Sequence, residues 1–151
     1  MISYVRGNLL DSKATILVNT VNCVGVMGKG IALQFKQRFP EMFEVYRQTC
    51  KAGGYSPGVC RMCTTSGKTI INFPTKNDWR NPSQMEWIQS GLIQIKNYLM
   101  KNPSVSIAFP PVGCGNGGLN WEEVRVLMED TFKDLPNDIQ IYGRGGTNEE
   151  N

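Results

Sequence analysis

Residues 19–35, NTVNCVGVMGKGIALQF, join the end of an apolar run to three glycines and the start of an amphipathic segment. The run before them, ATILVNTVN at 14–22, is rich in β-branched residues, which is typical of a strand covered on both faces. The pattern from about Gly30 to Arg38 predicts a helix. Gly25, Gly28 and Gly30 therefore lie between a buried strand and a helix N-terminus, where backbone N–H groups and the helix dipole favour an anion.

A second glycine-rich segment, GCGNGGL at 113–119, also precedes a predicted helix, from about Trp121 to Lys133 with Asn120 as N-cap. One such loop alone is more often a tight strand-to-helix turn. Two loops at equivalent positions suit a diphosphate, with one loop on each side. Neither loop has the GKS or GKT ending of a Walker A sequence.

The remaining elements alternate between strand and helix. Short strands are predicted at Ile2–Val5, at VCRMCTT and KTIINF, which form a hairpin around Ser66-Gly67, at Val105–Phe109 and at Ile139–Tyr142. Further helices begin at Pro40 and at Ser83, which has Glu86 three residues later as in a capping box. This order predicts a three-layer α/β/α domain with a mixed, mostly parallel central sheet. Ligands of such sheets bind beyond the carboxyl ends of the strands.

Composition excludes several kinds of chemistry. The 151 residues carry a net charge of +3 and include no histidine, which rules out Ser-His and Cys-His pairs and His-containing zinc sites. Cys60 and Cys63 lie in a strand pattern that points them to opposite faces, so we expect no metal site and no cofactor. The chain has no apolar run long enough to span a membrane and no signal-peptide pattern, which predicts a cytoplasmic protein with reduced thiols.

These motifs together resemble the macrodomain family. The matching pieces, in chain order, are GNLL at 7–10, VNTVN at 18–22, GVMGKGIA at 25–32 and PPVGCGNGGL at 110–119. Within the family, MGKGIALQFK and FPTK resemble the branch that contains DarG, the antitoxin of the DarT–DarG pair. The resemblance implies the macrodomain fold for residues 1–143 and an ADP-ribose ligand, whose diphosphate and distal ribose the glycine loops would wrap.

The resemblance also implies roles for single residues. Asn8, where many macrodomains have Asp, would face the adenine amino group, with the Leu9 backbone beside it. Asn22 would hold the distal ribose hydroxyls; read from the residues alone, it is also a turn asparagine. The backbones of both glycine loops would hold the phosphates. The full set of ADP-ribose contacts that the resemblance implies is Asn8, Leu9, Asn19, Gly28, Lys29, Gly30, Ile31, Thr75, Pro111, Gly113, Cys114, Gly115, Asn116, Gly117, Gly118 and Leu119.

Lys76, in FPTK, matches the lysine that acts in this branch, so the resemblance implies Lys76 and Asn22 as catalytic residues. A partly desolvated lysine has a lowered pKa and can attack a sugar C1″ or its ring-opened aldehyde. It could instead stay charged and stabilise the leaving base. Asp78 and Glu122 are candidate acids nearby, although Glu122 is more simply a first-turn acid that the helix dipole favours.

One departure from a related hydrolase concerns the linkage cleaved. The ADP-ribose–glutamate hydrolase that resembles this branch has an acid two positions after its GCG, where this chain has Gly117. The NGG pattern resembles the DarG branch and favours a nucleobase over a carboxylate ester. Trp79 and Arg80 follow Lys76 and are candidate DNA contacts, since an aromatic can stack a base and an Arg can neutralise a phosphate. Alternatively, Trp79 covers the adjacent helix.

The predicted function is therefore hydrolysis that removes ADP-ribose from thymidine in DNA, which reverses the modification by a DarT-type toxin. The alternatives are hydrolysis of ADP-ribose 1″-phosphate or of ADP-ribosylated protein carboxylates, and a non-catalytic reader of ADP-ribose. The expected partners are ADP-ribosylated single-stranded DNA and a DarT-like toxin, with no membrane contact and a monomeric state. Residues 144–151 are predicted to be a polar, disordered tail.

Overall fold

A computed structural model of the chain describes residues 1–143, and the predicted tail at 144–151 lies outside the described residues. Its sheet has six strands in the order β1-β6-β5-β2-β4-β3. All neighbouring strands are parallel except β3 and β4, which form the predicted hairpin. The strands are β1 (Ile2–Val5), β2 (Ile16–Val21), β3 (Arg61–Thr65), β4 (Lys68–Pro74), β5 (Ile107–Phe109) and β6 (Ile139–Tyr142).

Two pairs of helices cover the two faces of this sheet. The helices are α1 (Gly30–Arg38), α2 (Pro40–Lys51), α3 (Met85–Lys101) and α4 (Trp121–Phe132), with 3-10 turns at Leu9–Asp11 and Gly115–Gly117. Side chains of α3 and α4 share one hydrophobic core with the sheet, and side chains of α1 and α2 share the other. The predicted three-layer α/β/α architecture with a mixed, mostly parallel sheet is confirmed. Over residues 1–143, every helix is too short or too polar to cross a bilayer.

The central strand β2 has hydrophobic cores on both of its faces, which explains its nearly continuous apolar sequence. Ile16 and Val18 pack into the core under α3 and α4, whereas Leu17 and Val21 pack into the core under α1 and α2. Because successive side chains of a strand point to opposite faces, both faces of β2 need apolar residues. The strand is thereby fixed at the centre of the sheet, and its carboxyl end leads into the glycines.

The start of α3 differs from the prediction. Gln84 is its N-cap and Met85 its first residue, so Ser83 does not cap this helix. Ser83 is buried instead, and its backbone N–H donates to the carbonyl oxygen of Gly117 at 2.9 Å. This long-range contact holds Ser83 one residue outside the helix, which the local capping pattern could not indicate.

The topology gathers the unusual loops at one edge. Strands β4 and β5 lie on either side of β2 and are both parallel to it, so the carboxyl ends of the three strands lie at the same edge of the sheet. The glycines before α1, the loop after β4 and the glycines before α4 follow these three ends. The fold therefore brings the two glycine loops and the Lys76 loop together, as the sequence predicts.

Candidate functional site

A cavity of about 680 Å³ lies at the carboxyl ends of β2 and β4. Three stretches of chain form its wall: the end of β2 with the first glycine loop, the loop after β4, and the second glycine loop. Its lining residues are Thr20, Val21, Asn22, Val26, Gly28, Lys29, Ile31, Ala32, Thr75, Lys76, Trp79, Arg80, Asn81, Pro82, Gly113, Cys114, Asn116, Gly117 and Gly118.

The first glycine loop opens α1 without a side-chain cap. Lys29 occupies the N-cap position and makes no side-chain capping hydrogen bond, and Gly30 begins the helix with φ +55°. Only glycine adopts such a φ at little cost, which explains Gly30 at this corner. The N-terminal N–H groups of a helix lack intrahelical acceptors and attract anions. Gly28, Lys29 and Ile31 line the cavity at this helix start.

Asn22 organises the turn that leads into this loop. Its Oδ1 accepts from the backbone N–H of Val24 at 3.0 Å and of Val26 at 3.4 Å, and its Nδ2 donates to the carbonyl oxygen of Val26 at 2.7 Å. The side chain is buried, with 6% of its surface exposed, yet it lines the cavity. Asn22 is thus the turn asparagine that its sequence position allowed, placed at the cavity wall.

The second glycine loop forms the opposite wall. Gly113 and Gly118 have φ of +76° and +81°, so the turn requires glycine at both positions. Gly117 has no such requirement from φ, but a Cβ there would lie 2.6 Å from Ser83 Oγ. A side chain at position 117, such as the acid of the related hydrolase, would therefore collide with Ser83 in this structure.

Lys76 lies between the two loops and is half-buried. Its Nζ donates to the carbonyl oxygen of Trp79 at 3.2 Å, and the backbone N–H of Cys23 donates to Asn77 at 2.9 Å, which ties this loop to the end of β2. Burial lowers the pKa of Lys76 below its ordinary value, and repulsion by the Lys29 ammonium lowers it further. The geometry thus provides an amine that loses its proton more readily than a solvated lysine.

The cavity wall carries cationic groups and lacks carboxylates. Among residues 1–143, no Asp or Glu lines it. Asp78 faces Arg80, whose backbone N–H and guanidinium donate to its carboxylate and lower the pKa of Asp78 to about 2. Glu122 is bound by Arg125 on the surface of α4, and this contact lowers the pKa of Glu122. Neither candidate acid lines the cavity, so the structure does not place either carboxylate beside Lys76.

Trp79 and Arg80 lie at the cavity wall. Trp79 is 49% exposed and lines the cavity. The Arg80 guanidinium lies 5.4 Å from the Trp79 ring centroid and also pairs with Asp78. Trp121, in contrast, packs against the hydrophobic core.

Several of the predicted contacts are not brought to the cavity. Asn19 is fully buried and donates to Asn72 Oδ1 at 3.1 Å. The Leu9 side chain is fully buried in the core, and the contact predicted for Leu9 is with its backbone. Asn8 accepts from the Leu10 N–H as the cap of a 3-10 turn and lines a separate cavity of about 340 Å³. The predicted contacts outside the large cavity's lining are Asn8, Leu9, Asn19, Gly30, Pro111, Gly115 and Leu119.

The structure also adds cavity residues that the sequence did not single out. Thr20 and Val21 end β2 beside Asn22, and Val26 and Ala32 flank the first glycine loop. Asn81 and Pro82 continue the loop that holds Lys76. Only their positions next to predicted site residues could have indicated from the sequence that they line the cavity, because none of these side chains is a typical catalytic group.

The cysteine pair considered as a metal motif is split between the two cores. Cys60 packs against the core under α3 and α4, whereas Cys63 packs against the core under α1 and α2. Over the described part of the chain, no cluster of three His, Cys, Asp or Glu residues could hold a metal ion. Cys114 lines the cavity within the second glycine loop and is buried.

Comparison with known proteins gives relatives along nearly the whole chain. A protein of Mycobacterium tuberculosis named DNA ADP-ribosyl glycohydrolase is 48% identical over 151 residues, which cover 97% of this chain and 43% of that protein. The chain therefore spans less than half the length of this curated relative, and also of a Thermus aquaticus protein of the same name, of which it covers 41%.

Solved structures agree with this match. The macrodomain of Mycobacterium tuberculosis DarG superposes with a TM-score of 0.90 at 49% identity, over 94% of this chain and 97% of that chain. A structure of Thermosipho africanus DarTG in complex with ADP-ribose gives a TM-score of 0.87 at 34% identity, over 93% of this chain and 41% of that chain. The Macro domain family model matches residues 18–128. The chain belongs to the macro domain family.

Proposed function

We propose that this chain is a hydrolase that binds ADP-ribose and removes it from thymidine in DNA, which reverses the modification by a DarT-type toxin. The observation that carries the proposal is the position of Lys76, a lysine with a lowered pKa, in the wall of a cavity lined by two glycine loops. The relatives named DNA ADP-ribosyl glycohydrolase, which are 44% and 48% identical to this chain, support the choice of substrate.

The glycine loops bind the diphosphate. The N-terminus of α1 offers backbone N–H groups at Gly28 to Ile31, and the loop at 113–119 faces it across the cavity. Lys29 adds a positive charge at the same wall. The distal ribose lies against Asn22, close to Lys76, which brings the sugar C1″ toward the amine.

Lys76 acts on the bond between C1″ and the base. As a free amine it attacks C1″, so that a C1″–Nζ bond forms while the bond to the base breaks, and water then hydrolyses the C1″–Nζ bond and frees the amine. As an ammonium it stabilises the departing base while water attacks C1″. In either case water supplies the oxygen that C1″ keeps, and the base leaves with a proton. Since no carboxylate of residues 1–143 lines the cavity, Lys76 works without a carboxylate partner there.

The NGG sequence at 116–118, with Gly117 where the related ADP-ribose–glutamate hydrolase has an acid, favours a nucleobase as the leaving group over the alternatives. Hydrolysis of an ADP-ribosylated protein carboxylate or of a 1″-phosphate remains the second candidate reaction, and a non-catalytic reader is the third. Trp79 and Arg80 at the wall provide a stacking surface and a charge for single-stranded DNA.

The wider setting is also part of the proposal. A DarT-like toxin is the expected source of the modified DNA, and a Thermosipho africanus relative is named as a fusion of a DNA ADP-ribosyl transferase with a glycohydrolase. The monomeric state, the cytoplasmic location and the division into a macrodomain at 1–143 and a tail stay predictions.

The test is hydrolysis of a single-stranded oligonucleotide that carries ADP-ribosylated thymidine. We expect the unmodified chain to release ADP-ribose, and Lys76→Ala to lose turnover while it still binds free ADP-ribose, because the diphosphate contacts are mostly backbone. Lys101→Ala, at the exposed end of α3, is the matched control and should retain full activity. Tight binding of ADP-ribose without release from DNA would overturn the proposal. Hydrolysis of an ADP-ribosylated peptide would then indicate that the chain cleaves another linkage, and no hydrolysis of that peptide would indicate a non-catalytic reader.

A further inference from the structure

Tyr46 of α2 reaches the cavity wall from inside the protein. It does not line the cavity and is only 1% exposed, but its hydroxyl lies 2.8 Å from Asn22 Oδ1 and 2.9 Å from the Asn22 carbonyl oxygen. Its ring is held edge-on against Tyr55, with 5.1 Å between the centroids. Burial raises the pKa of Tyr46 far above its ordinary value, so this hydroxyl stays protonated.

Two backbone N–H groups, of Val24 at 3.0 Å and of Val26 at 3.4 Å, and the Tyr46 hydroxyl lie within hydrogen-bond distance of the side-chain oxygen of Asn22. The single hydroxyl proton is shared between that oxygen and the Asn22 carbonyl oxygen. An amide oxygen has two lone pairs and an amide nitrogen has two N–H groups. The oxygen is thus saturated within the protein, whereas the nitrogen spends one N–H on the Val26 carbonyl oxygen at 2.7 Å. The second N–H is what Asn22 has left for a ligand.

A reversed amide would be unfavourable. It would turn its own N–H groups toward the backbone N–H groups of Val24 and Val26, and its oxygen toward the Val26 carbonyl oxygen. Buried donors without an acceptor cost free energy, so the network selects one orientation of the amide.

We infer that Tyr46 is a positioning residue for the proposed hydrolysis. Its hydroxyl bridges the carbonyl and side-chain oxygens of Asn22 and holds the amide in the position from which it donates a hydrogen bond to the ligand. The inference rests on the proposed function, in which Asn22 contacts the distal ribose. The ligand group at Asn22 is accordingly an acceptor, an oxygen of that ribose.

Tyr46→Phe isolates the hydroxyl, because it keeps the ring in the core. The matched control is Tyr55→Phe, since the Tyr55 hydroxyl accepts from Asn72 Nδ2 at 3.3 Å and makes no contact with Asn22. One lost hydrogen bond in a site changes rates or affinities by roughly three- to tenfold. We expect Tyr46→Phe to lower kcat/KM on the modified oligonucleotide by about this factor, and Tyr55→Phe to match the unmodified chain.

Side-chain amide NMR reports on Asn22 directly. We expect the Asn22 NH₂ resonances to shift or broaden in Tyr46→Phe and to stay in place in Tyr55→Phe. In the unmodified chain, addition of ADP-ribose should shift one of the two NH₂ protons, which tests the inference even where a variant does not fold. A lower melting temperature with unchanged kcat/KM and unchanged resonances would overturn the inference, and so would equal effects of both variants.

Failure of the proposed function is distinguishable from failure of this inference. If the unmodified chain releases nothing from the oligonucleotide, the proposed hydrolysis is wrong. The positioning role is then decided by ADP-ribose affinity and by the Asn22 resonances. A Tyr46→Phe variant that matches the unmodified chain in both measurements would rule it out.

Discussion

Ser83 and Gly117 are packed so closely that one determines what the other can be. The Ser83 N–H donates to the Gly117 carbonyl oxygen at 2.9 Å, and a Cβ at position 117 would lie 2.6 Å from Ser83 Oγ and 3.3 Å from its Cβ. Ser83 Oγ is buried and has no hydrogen-bond partner among the described residues. The loop before α3 thus fills the space that a side chain at 117 would need, which keeps an acid out of this wall of the cavity.

A double-mutant cycle tests this coupling. Gly117→Ala should destabilise the fold by about 1–3 kcal/mol, because the added methyl group forces Ser83 to move in a packed region. Ser83→Ala should be close to neutral alone, since it removes a hydroxyl that has no partner in the structure. In the Ser83→Ala background, Gly117→Ala should cost less. Urea unfolding measures all four chains, and an equal cost in both backgrounds would show that the two residues are independent.

The charge of Lys29 should be detectable at Lys76. Repulsion between the two ammonium groups is the second cause of the lowered pKa of Lys76, after burial. Lys29→Gln removes that repulsion, so we expect the pKa of Lys76 to rise toward its ordinary value in the ligand-free protein. Titration of the Lys76 side chain by NMR measures it directly. Lys36→Gln, an exposed residue of α1, is the control and should leave that pKa in place.

The same variant predicts the sign of a pH effect on turnover. If the free amine of Lys76 is the reacting form, kcat/KM increases as pH rises through the pKa of the ligand-free protein, and Lys29→Gln moves this increase to higher pH. If the ammonium is the reacting form, kcat/KM decreases through the same pKa, and the decrease moves to higher pH. If Lys29→Gln changes the pKa of Lys76 in the NMR titration but leaves the pH–rate profile unchanged, the protonation state of Lys76 does not control the rate-determining step.

Trp79 should matter for DNA more than for ADP-ribose. It is exposed at the cavity wall with Arg80 beside it, where a base that continues from the modified nucleotide can stack. Trp79→Ala should weaken binding of a modified oligonucleotide by about 1–3 kcal/mol and leave the affinity for free ADP-ribose nearly unchanged. Arg80→Gln should reduce the salt dependence of oligonucleotide binding by about one phosphate contact. An equal loss for both ligands would place Trp79 against ADP-ribose itself.

The observed positions of three residues show how much of this site can be predicted from sequence: Asn19, Asn22 and Ser83. Glycine spacing and strand periodicity are local signals, and they correctly placed both loops, the order of the elements and Lys76 at one edge. The direction of a side chain at a strand end is not local. Asn19 and Asn22 lie three residues apart in the same motif, yet Asn19 pairs with Asn72 inside the protein while Asn22 lines the cavity.

Long-range contacts account for the rest. Ser83 matches a capping pattern, but its bond to Gly117 holds it outside α3, and no feature of residues 83–86 indicates that partner. Tyr46 lies in a predicted helix, and no sequence pattern indicates its contact with Asn22, which is 24 positions away in the chain. Such contacts follow from the packing of α2 and α3 on the sheet, which the alternation of strands and helices predicts only in outline.

Gly91 shows how that packing positions the site. It lies in the middle of α3, and a Cβ there would be 2.3 Å from the fully buried ring of Phe73, three positions before Lys76 in the chain. Intrinsic helix propensity favours Gly91→Ala by about 1 kcal/mol, whereas overpacking against a rigid ring costs about 1–3 kcal/mol or more. We expect the steric term to dominate, so that the variant lowers the melting temperature and displaces β4 and the Lys76 loop, with lower turnover. Gln89→Ala, on the exposed side of the same helix, controls for propensity, and a stabilised Gly91→Ala chain would mean that α3 can move away from β4 without cost.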